Sequence, residues 1–260
     1  MECSLIISTY NWPLALDLVL KSVLRQSVMP GEVIIADDGS MDDTKALIQS
    51  YQALFPVPLI HLWHADAGFR KTIILNKSYK EAQSDYIIQI DGDIILHPHF
   101  IRDHLTYREL GYYIKGSRGR LTKEVTEKIL LSKKIDFTLF HPGIKSRFNT
   151  TRLPFASKFL YGKGNNSRKV KGCNFAVWKN DFVAVNGYNN DVCGWGHEDI
   201  ELAARLVNYG VKQRHLKLAA VCFHIHHELV SRNKEADNLQ SYFDVINSGT
   251  VRCGNGYDQV

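Results

Sequence analysis

The sequence predicts an α/β fold, a mostly parallel, doubly wound sheet flanked by helices. Three observations in the first hundred residues predict it. Short apolar, β-prone runs alternate with stretches whose leucines and valines fall at helical spacing. Polar, turn-forming residues such as Asp37-Asp38-Gly39-Ser40 follow the strands. Three such strand–helix steps precede the run Ile87-Ile88-Gln89-Ile90, which ends in Asp91-Gly92-Asp93. Strands alternating with crossover helices make a parallel sheet.

The elements follow in order. Ser4 to Ser8 is the first strand, and Pro13 opens a helix running to Ser27. Glu32 to Ala36 is the second strand, after which Asp42 or Asp43 can cap a helix running towards Tyr51. Val57 to Leu62 is a third strand, Thr72 to Ala82 a helix, and Tyr86 to Ile90 the strand that delivers the Asp pair. Open α/β sheets bind ligands outside the carboxyl ends of their strands. Ser8-Thr9-Tyr10-Asn11, Asp37-Asp38 and Asp91-Gly92-Asp93 are therefore expected along one edge, a nucleotide-sized set of polar groups.

Composition narrows the class. At 45% hydrophobic and 23% charged residues over 260 positions, the chain can bury a sizeable core and is neither disordered nor fibrous. No apolar run approaches the roughly 18 residues of a membrane span. Met1 leads into Leu5-Ile6-Ile7 without a basic region or cleavage site, so the expected location is cytoplasmic, with peripheral contact at the inner face of the cell membrane as an option. Cys3, Cys173, Cys193, Cys222 and Cys253 are odd in number and scattered, which fits reduced thiols. The net charge of +5 is concentrated in residues 112–171, where fifteen Lys or Arg face three acids. Aromatic and apolar residues interleave them, in Phe137-Thr138-Leu139-Phe140 and again from Phe155 to Leu160. That pattern suits anionic lipid head groups or an anionic acceptor, and equally a solvated basic excursion between domains. No nucleic-acid motif accompanies it, so no nucleic-acid partner is expected.

Three clusters carry chemistry. Asp91 and Asp93 would share one side of the chain as it leaves its strand, and two hard oxygen ligands there can hold Mg²⁺ or Mn²⁺ with a diphosphate. Turns also collect Asp and Gly for backbone reasons alone. Gly194-Trp195-Gly196-His197-Glu198-Asp199 offers a bent, exposed aromatic platform on which a sugar ring can stack, followed by two acids. Acids in a helix's first turn also suit its macrodipole. His224-Ile225-His226-His227 follows an apolar run, and imidazole beside carboxylate suits Mn²⁺. A zinc site competes, but no Cys or further His lies at zinc spacing.

These motifs resemble family 2 glycosyltransferases of the GT-A fold. The correspondences are Ser8-Thr9-Tyr10-Asn11, Leu20 to Ser27, Val33 to Ser40, Gly68-Phe69-Arg70-Lys71 with Asn76, and the Asp-x-Asp strand. The Gly-Trp-Gly-x-Glu-Asp block, Lys171 to Ala176 and Phe182 to Tyr188 are similar to the C-terminal acceptor module of animal β-galactosyltransferases and many bacterial family 2 enzymes. The resemblance implies a single continuous domain with a nucleotide-sugar half (1–110), a basic middle (111–171) and an acceptor and catalytic-base half (172–260). It assigns Ser8, Tyr10 and Asp38 to the base and ribose of the nucleotide, Asp91 to ribose or metal-bound water, and Asp93 and His227 to the metal. His224 becomes a second ligand or diphosphate contact, and His226 points away. Trp195 and Glu198 would bind the acceptor, and Asp199, with an ordinary carboxylate pKa, would be the general base.

Many relatives carry Arg immediately before the Asn that is Asn76 here, whereas this chain has Leu75, so the phosphate or ribose contact of that Arg passes to Arg70 or Lys71 or is absent. The implied activity is inverting, Mn²⁺- or Mg²⁺-dependent transfer from a UDP-sugar to a glycan or lipid-linked glycan, forming a β-glycosidic bond. Two other classes compete. A sugar-phosphate nucleotidyltransferase would open on a Gly-rich basic loop, absent here, and a non-catalytic carbohydrate-binding protein would need neither metal nor base.

Overall fold

A computed structural model describes residues 2–138, 141–160, 162–165, 167–228 and 233–260; Leu139 and Phe140 of the first aromatic-interleaved stretch lie outside them. The amino-terminal half runs β1 (Ser4–Thr9), α1 (Pro13–Leu24), β2 (Glu32–Asp37), α2 (Asp42–Gln52), β3 (Leu59–Trp63), α3 (Lys71–Glu81), β4 (Tyr86–Asp91), β5 (Ile94–Leu96) and α4 (Phe100–Tyr107). The middle supplies β6 (Tyr112–Lys115), β7 (Gly119–Leu121), α5 (Lys123–Ser132), β8 (Ile144–Lys145), α6 (Pro154–Leu160) and β9 (Gly162–Gly164). The remainder is β10 (Phe175–Trp178), α7 (Lys179–Ala184), α8 (Glu198–Asn208), β11 (Lys212–His215), β12 (Cys222–His224) and α9 (Glu235–Ser248). Among the described residues no helix is long and apolar enough to cross a membrane.

The main sheet has the order β3-β2-β1-β4-β10-β6-β11-β9. β3, β2, β1 and β4 are mutually parallel, and β10 enters antiparallel between β4 and β6. Both faces are covered, which explains why the strands read as continuous apolar runs. Leu5 and Ile7 face α1 and α2 in one core, while Ile6 faces the opposite core with Ile74, Phe182 and Leu206. A second, four-stranded sheet has the order β5-β12-β7-β8. It pairs His224 of β12 with Ile94 of β5 and so brings the carboxy-terminal histidines beside the Asp pair.

Three local expectations are corrected. α1 ends at Leu24 instead of Ser27, because the Gln26 side chain donates to the His97 carbonyl and accepts from the Ile101 amide, drawing the chain out of the helix. β3 begins at Leu59 because Pro58 has no amide to donate; its carbonyl accepts from Val33. Asp42 and Asp43 do not cap α2. Met41 is the N-cap residue, its amide donates to Asn11 Oδ1, and the two acids occupy the first turn, where the macrodipole favours them.

One buried ion pair within α8 ties that helix to the end of α7. Arg205 is fully buried, bonds Glu201 through Nε (2.9 Å) and Nη2 (2.6 Å), and donates to the Val185 carbonyl at 2.6 Å. Removing one member strands the other in a dry interior. Glu201→Ala should therefore destabilise the fold by about 3–5 kcal/mol, read from the denaturant midpoint; a shift under 1 kcal/mol would contradict that role.

Candidate active site

The ends of β1, β2 and β4 lie side by side, with Ser8 opposite both Ala36 and Asp91, and Thr9 opposite Asp37. Gly92 is required by close approach. Its amide donates to the Ser8 carbonyl at 2.7 Å, and an added Cβ would lie 3.0 Å from both that oxygen and Thr9 Oγ1. The turn after β4 is thus pressed against the end of β1, which fixes where Asp91 and Asp93 point.

Asp93 Oδ2 lies 3.3 Å from His224 Nε2 and 3.4 Å from His227 Nε2. The three side chains each offer one ligand atom, all within 4.8 Å of one another. Asp93 Oδ1 is buried without a hydrogen-bond partner. His227 Nδ1 donates to the Glu228 carbonyl at 2.7 Å, which turns its Nε2 towards Asp93. Burial, with Arg118 and His227 nearby, pushes the His224 imidazole down to about 3, so it stays neutral. Burial and the neighbouring Asp91 charge push Asp93 up to about 7. One carboxylate with an unpartnered oxygen, and two imidazoles facing its other oxygen, fit a first-row divalent ion. His226 is exposed, with its amide bonded to Thr126 Oγ1.

Asp91 is held differently. It accepts from Ser8 Oγ at 2.9 Å and from Lys71 Nζ at 2.7 Å. Burial opposes its charge, but the Lys71 ammonium and these hydrogen bonds prevail and hold its carboxyl below the usual carboxylate range. Lys71 also lies 3.9 Å from Glu198 Oε1. It enters from the first turn of α3 and joins the Asp pair to the acids of α8.

At that second end, Gly194 (φ +77°) and Gly196 (φ +104°) bend the chain around a half-buried Trp195, and Asn238 Nδ2 donates to the carbonyls of Cys193 and Gly196. The Trp is less exposed than the two flanking glycines suggest. Asp199 Oδ2 accepts from the Gly172 amide at 2.7 Å, and a Cβ on Gly172 would lie 2.4 Å from Asp199 Oδ1. Asp199 Oδ1 and Glu198 Oε2 are buried without partners. The expectation of an ordinary Asp199 pKa is corrected. Burial raises it, against the pull of Lys71 and the Gly172 amide. Burial and the adjacent Asp199 push Glu198 up to about 7.

The nucleoside end is built from Tyr10, Asp38 and Arg70. Tyr10 is exposed and donates to Asp66 at 2.9 Å. Buried Asp38 lies 2.7 Å from His64 Nε2 and accepts from the Arg70 amide at 2.9 Å. The Arg70 guanidinium turns to the Ala65 carbonyl, so Lys71 is the cation that reaches the Asp pair.

Arg118, Gly172 and His64 were not singled out by the sequence. Arg118 stands just before β7, its Nη1 2.8 Å from the Cys173 thiol. Burial raises that thiol to about 12 despite the guanidinium, so the sulfur is a neutral, weak acceptor. Among the described residues no carboxylate lies within 4.0 Å of Arg118, although its charge acts on Asp91, Asp93 and His224. The only signal was an Arg between two glycines in Gly116-Ser117-Arg118-Gly119.

With this geometry in place, comparison with known proteins identifies the class. Residues 4–166 match the family model described as glycosyl transferase family 2, and residues 155–228 match the one described as N-terminal domain of galactosyltransferase. The first match covers more than half of the chain, and the protein belongs to glycosyl transferase family 2.

Among individual relatives, it is similar to validoxylamine A glucosyltransferase of Streptomyces hygroscopicus subsp. limoneus, 26% identical over 228 residues, covering 80% of this chain and 48% of that protein. It is also similar to hyaluronan synthase of Pasteurella multocida, 28% identical over 224 residues, 80% of this chain and 23% of the synthase. The chain therefore spans about half the length of the first and about a quarter of the second. Two solved structures share the fold. The mannosyltransferase PcManGT from Pyrobaculum calidifontis, in complex with GDP-Man and Mn²⁺, gives a TM-score of 0.65 at 15% identity over 95% of this chain and 64% of its own. S. aureus TarS 1-349 in complex with UDP gives 0.64 at 13% identity over 99% and 68%. The fold is GT-A.

Proposed function

We propose that the protein is an inverting, metal-dependent glycosyltransferase. Its donor is a UDP-sugar of galactose, N-acetylgalactosamine or glucose type, its acceptor a glycan or lipid-linked glycan, and its product a β-glycoside. The observation that carries the reading is the convergence of Asp93, His224 and His227, with Lys71 linking the neighbouring Asp91 to the α8 carboxylates, whose Glu198 Oε2 and Asp199 Oδ1 are unpartnered. Relatives named hyaluronan and chondroitin synthases support a polysaccharide-type acceptor.

Asp93, His224 and His227 would hold Mn²⁺ or Mg²⁺, which when bound neutralises charge on the departing diphosphate. Ser8, Tyr10, Asp38 and Asp91 bind the nucleoside. Arg118, which has no carboxylate partner among the described residues, completes the diphosphate site. Trp195 stacks on the acceptor ring, and Glu198 bonds its hydroxyls. Asp199 Oδ1 takes the proton from the attacking hydroxyl as that oxygen bonds the anomeric carbon and the bond to UDP breaks. Lys71 separates the two acidic ends and keeps Asp91 ionised. Raising the Asp199 pKa makes it a stronger base, at the cost of a smaller ionised fraction in acid.

A panel of nucleotide-sugars with Mn²⁺ tests the class. UDP release from one or more UDP-sugars supports transfer, release from GDP-mannose alone would reassign the donor, and pyrophosphate formed from sugar phosphate and UTP would support a nucleotidyltransferase. Arg118→Gln should weaken UDP·Mn²⁺ binding by about tenfold to a hundredfold, the loss of one charge-assisted contact of roughly 1.5–3 kcal/mol. Calorimetry reads this directly, and unchanged affinity would remove Arg118 from the diphosphate site.

A further inference from the structure

From residue 137 to residue 180 the chain carries nine Lys or Arg and no Asp or Glu. Within that stretch, Phe148, Leu153, Phe155, Phe159 and Leu160 are 65%, 53%, 78%, 77% and 48% exposed. Five large apolar side chains on one short segment exceed the scattered exposure usual on a protein surface. Phe155 and Phe159 stack edge to face on α6 with ring centroids 5.8 Å apart, so the two rings form one protrusion.

The charges beside them are arranged at a cost. Arg120 of β7 lies directly opposite Lys145 of β8, and both are exposed. Like charges facing each other across a strand pair are unfavourable. Exposed Arg147 follows two residues after Lys145 and leads into Phe148. A partner that is both anionic and apolar beneath its charged layer answers both features at once.

We infer that β8, the 3-10 turn Arg147–Thr150 and α6 form a docking face for an anionic lipid bilayer, with Phe155, Phe159 and Leu160 in the acyl boundary and Arg120, Lys145 and Arg147 on the head groups. An apolar protrusion that follows directly on a cationic strand pair and turn has the chemistry of interfacial membrane binding. β8 is two strands from β12 in the small sheet, about 10 Å from the strand that carries His224. Docking therefore holds the cleft beside the lipid surface, which deepens the proposed use of a lipid-linked acceptor and in that respect rests on it.

Co-sedimentation of the full chain with phosphatidylcholine vesicles, with and without phosphatidylglycerol, tests the inference. The chain should sediment with the anionic vesicles and be released by salt. F155S/F159S should partition at least about tenfold more weakly, and K145E/R147E should lose the preference for anionic vesicles; unchanged circular dichroism separates these results from unfolding. The assay contains no nucleotide-sugar, so its outcome is independent of the transfer reading, and Asp199→Asn should sediment as the wild type does. Three results would overturn the inference: no sedimentation with either vesicle, partitioning that neither double variant changes, or a dimer that F155S/F159S dissociates.

Discussion

Asp199→Asn is expected to lower transfer by about a hundredfold to ten-thousandfold, the usual contribution of a positioned general base, while leaving UDP and metal binding intact. Asn has nearly the same shape, and its amide oxygen can still accept from Gly172, so the loop at Gly172 need not move. What is lost is basicity at Oδ1, the oxygen that has no protein partner. Burial raises the pKa of Asp199, and Glu198 beside it titrates near 7, so the wild-type rate should rise with pH through an acidic limb that belongs to the pair. The sign follows from the role, since the base acts only when deprotonated. Turnover within a few-fold of wild type in Asp199→Asn, or an unchanged acidic limb in its residual rate, would move proton removal to another group.

The second large effect is at the metal. Asp93→Ala should weaken Mn²⁺ binding by at least about a hundredfold, since loss of an outer-shell partner alone typically costs 10–100-fold, and donor turnover should fall with it. A chelator should abolish wild-type activity, and added Mn²⁺ should restore it. Asp93 titrates at about 7 in the metal-free protein, so protons compete with the ion below that pH. Apparent Mn²⁺ affinity should therefore fall by up to about tenfold per pH unit as the pH drops below about 7, and level off above it. Titration of Mn²⁺ at several pH values checks both statements. A pH-independent affinity, or full activity in chelator, would contradict the assignment.

The amino-terminal half was legible because β1, β2 and β4 are buried on both faces and read as largely apolar runs. Its errors are confined to ends, where Gln26 and Pro58 act through individual tertiary hydrogen bonds that no periodicity reports. The small sheet was not legible. β5, β7, β8 and β12 have two or three residues each, too few to show a period, yet their pairing places His224 next to Asp93. The Asp pair, His224 and His227 could be named from residue type and local spacing, whereas their convergence required that sheet. Arg118 and Gly172 were hidden for a related reason. An Arg between glycines or a Gly at the start of a 3-10 turn is ordinary in sequence, and each matters here only for what it faces, Cys173 and the Asp pair in one case and Asp199 in the other. The Asp199 pKa was missed because burial and the α8 neighbours are tertiary facts.

The most direct test of the central claim is the anomeric configuration of the first-formed product, followed by proton NMR as the protein hydrolyses or transfers from a UDP-α-sugar in Mn²⁺. Single displacement with Asp199 as base predicts the β anomer before any mutarotation. An α product formed first would contradict the account.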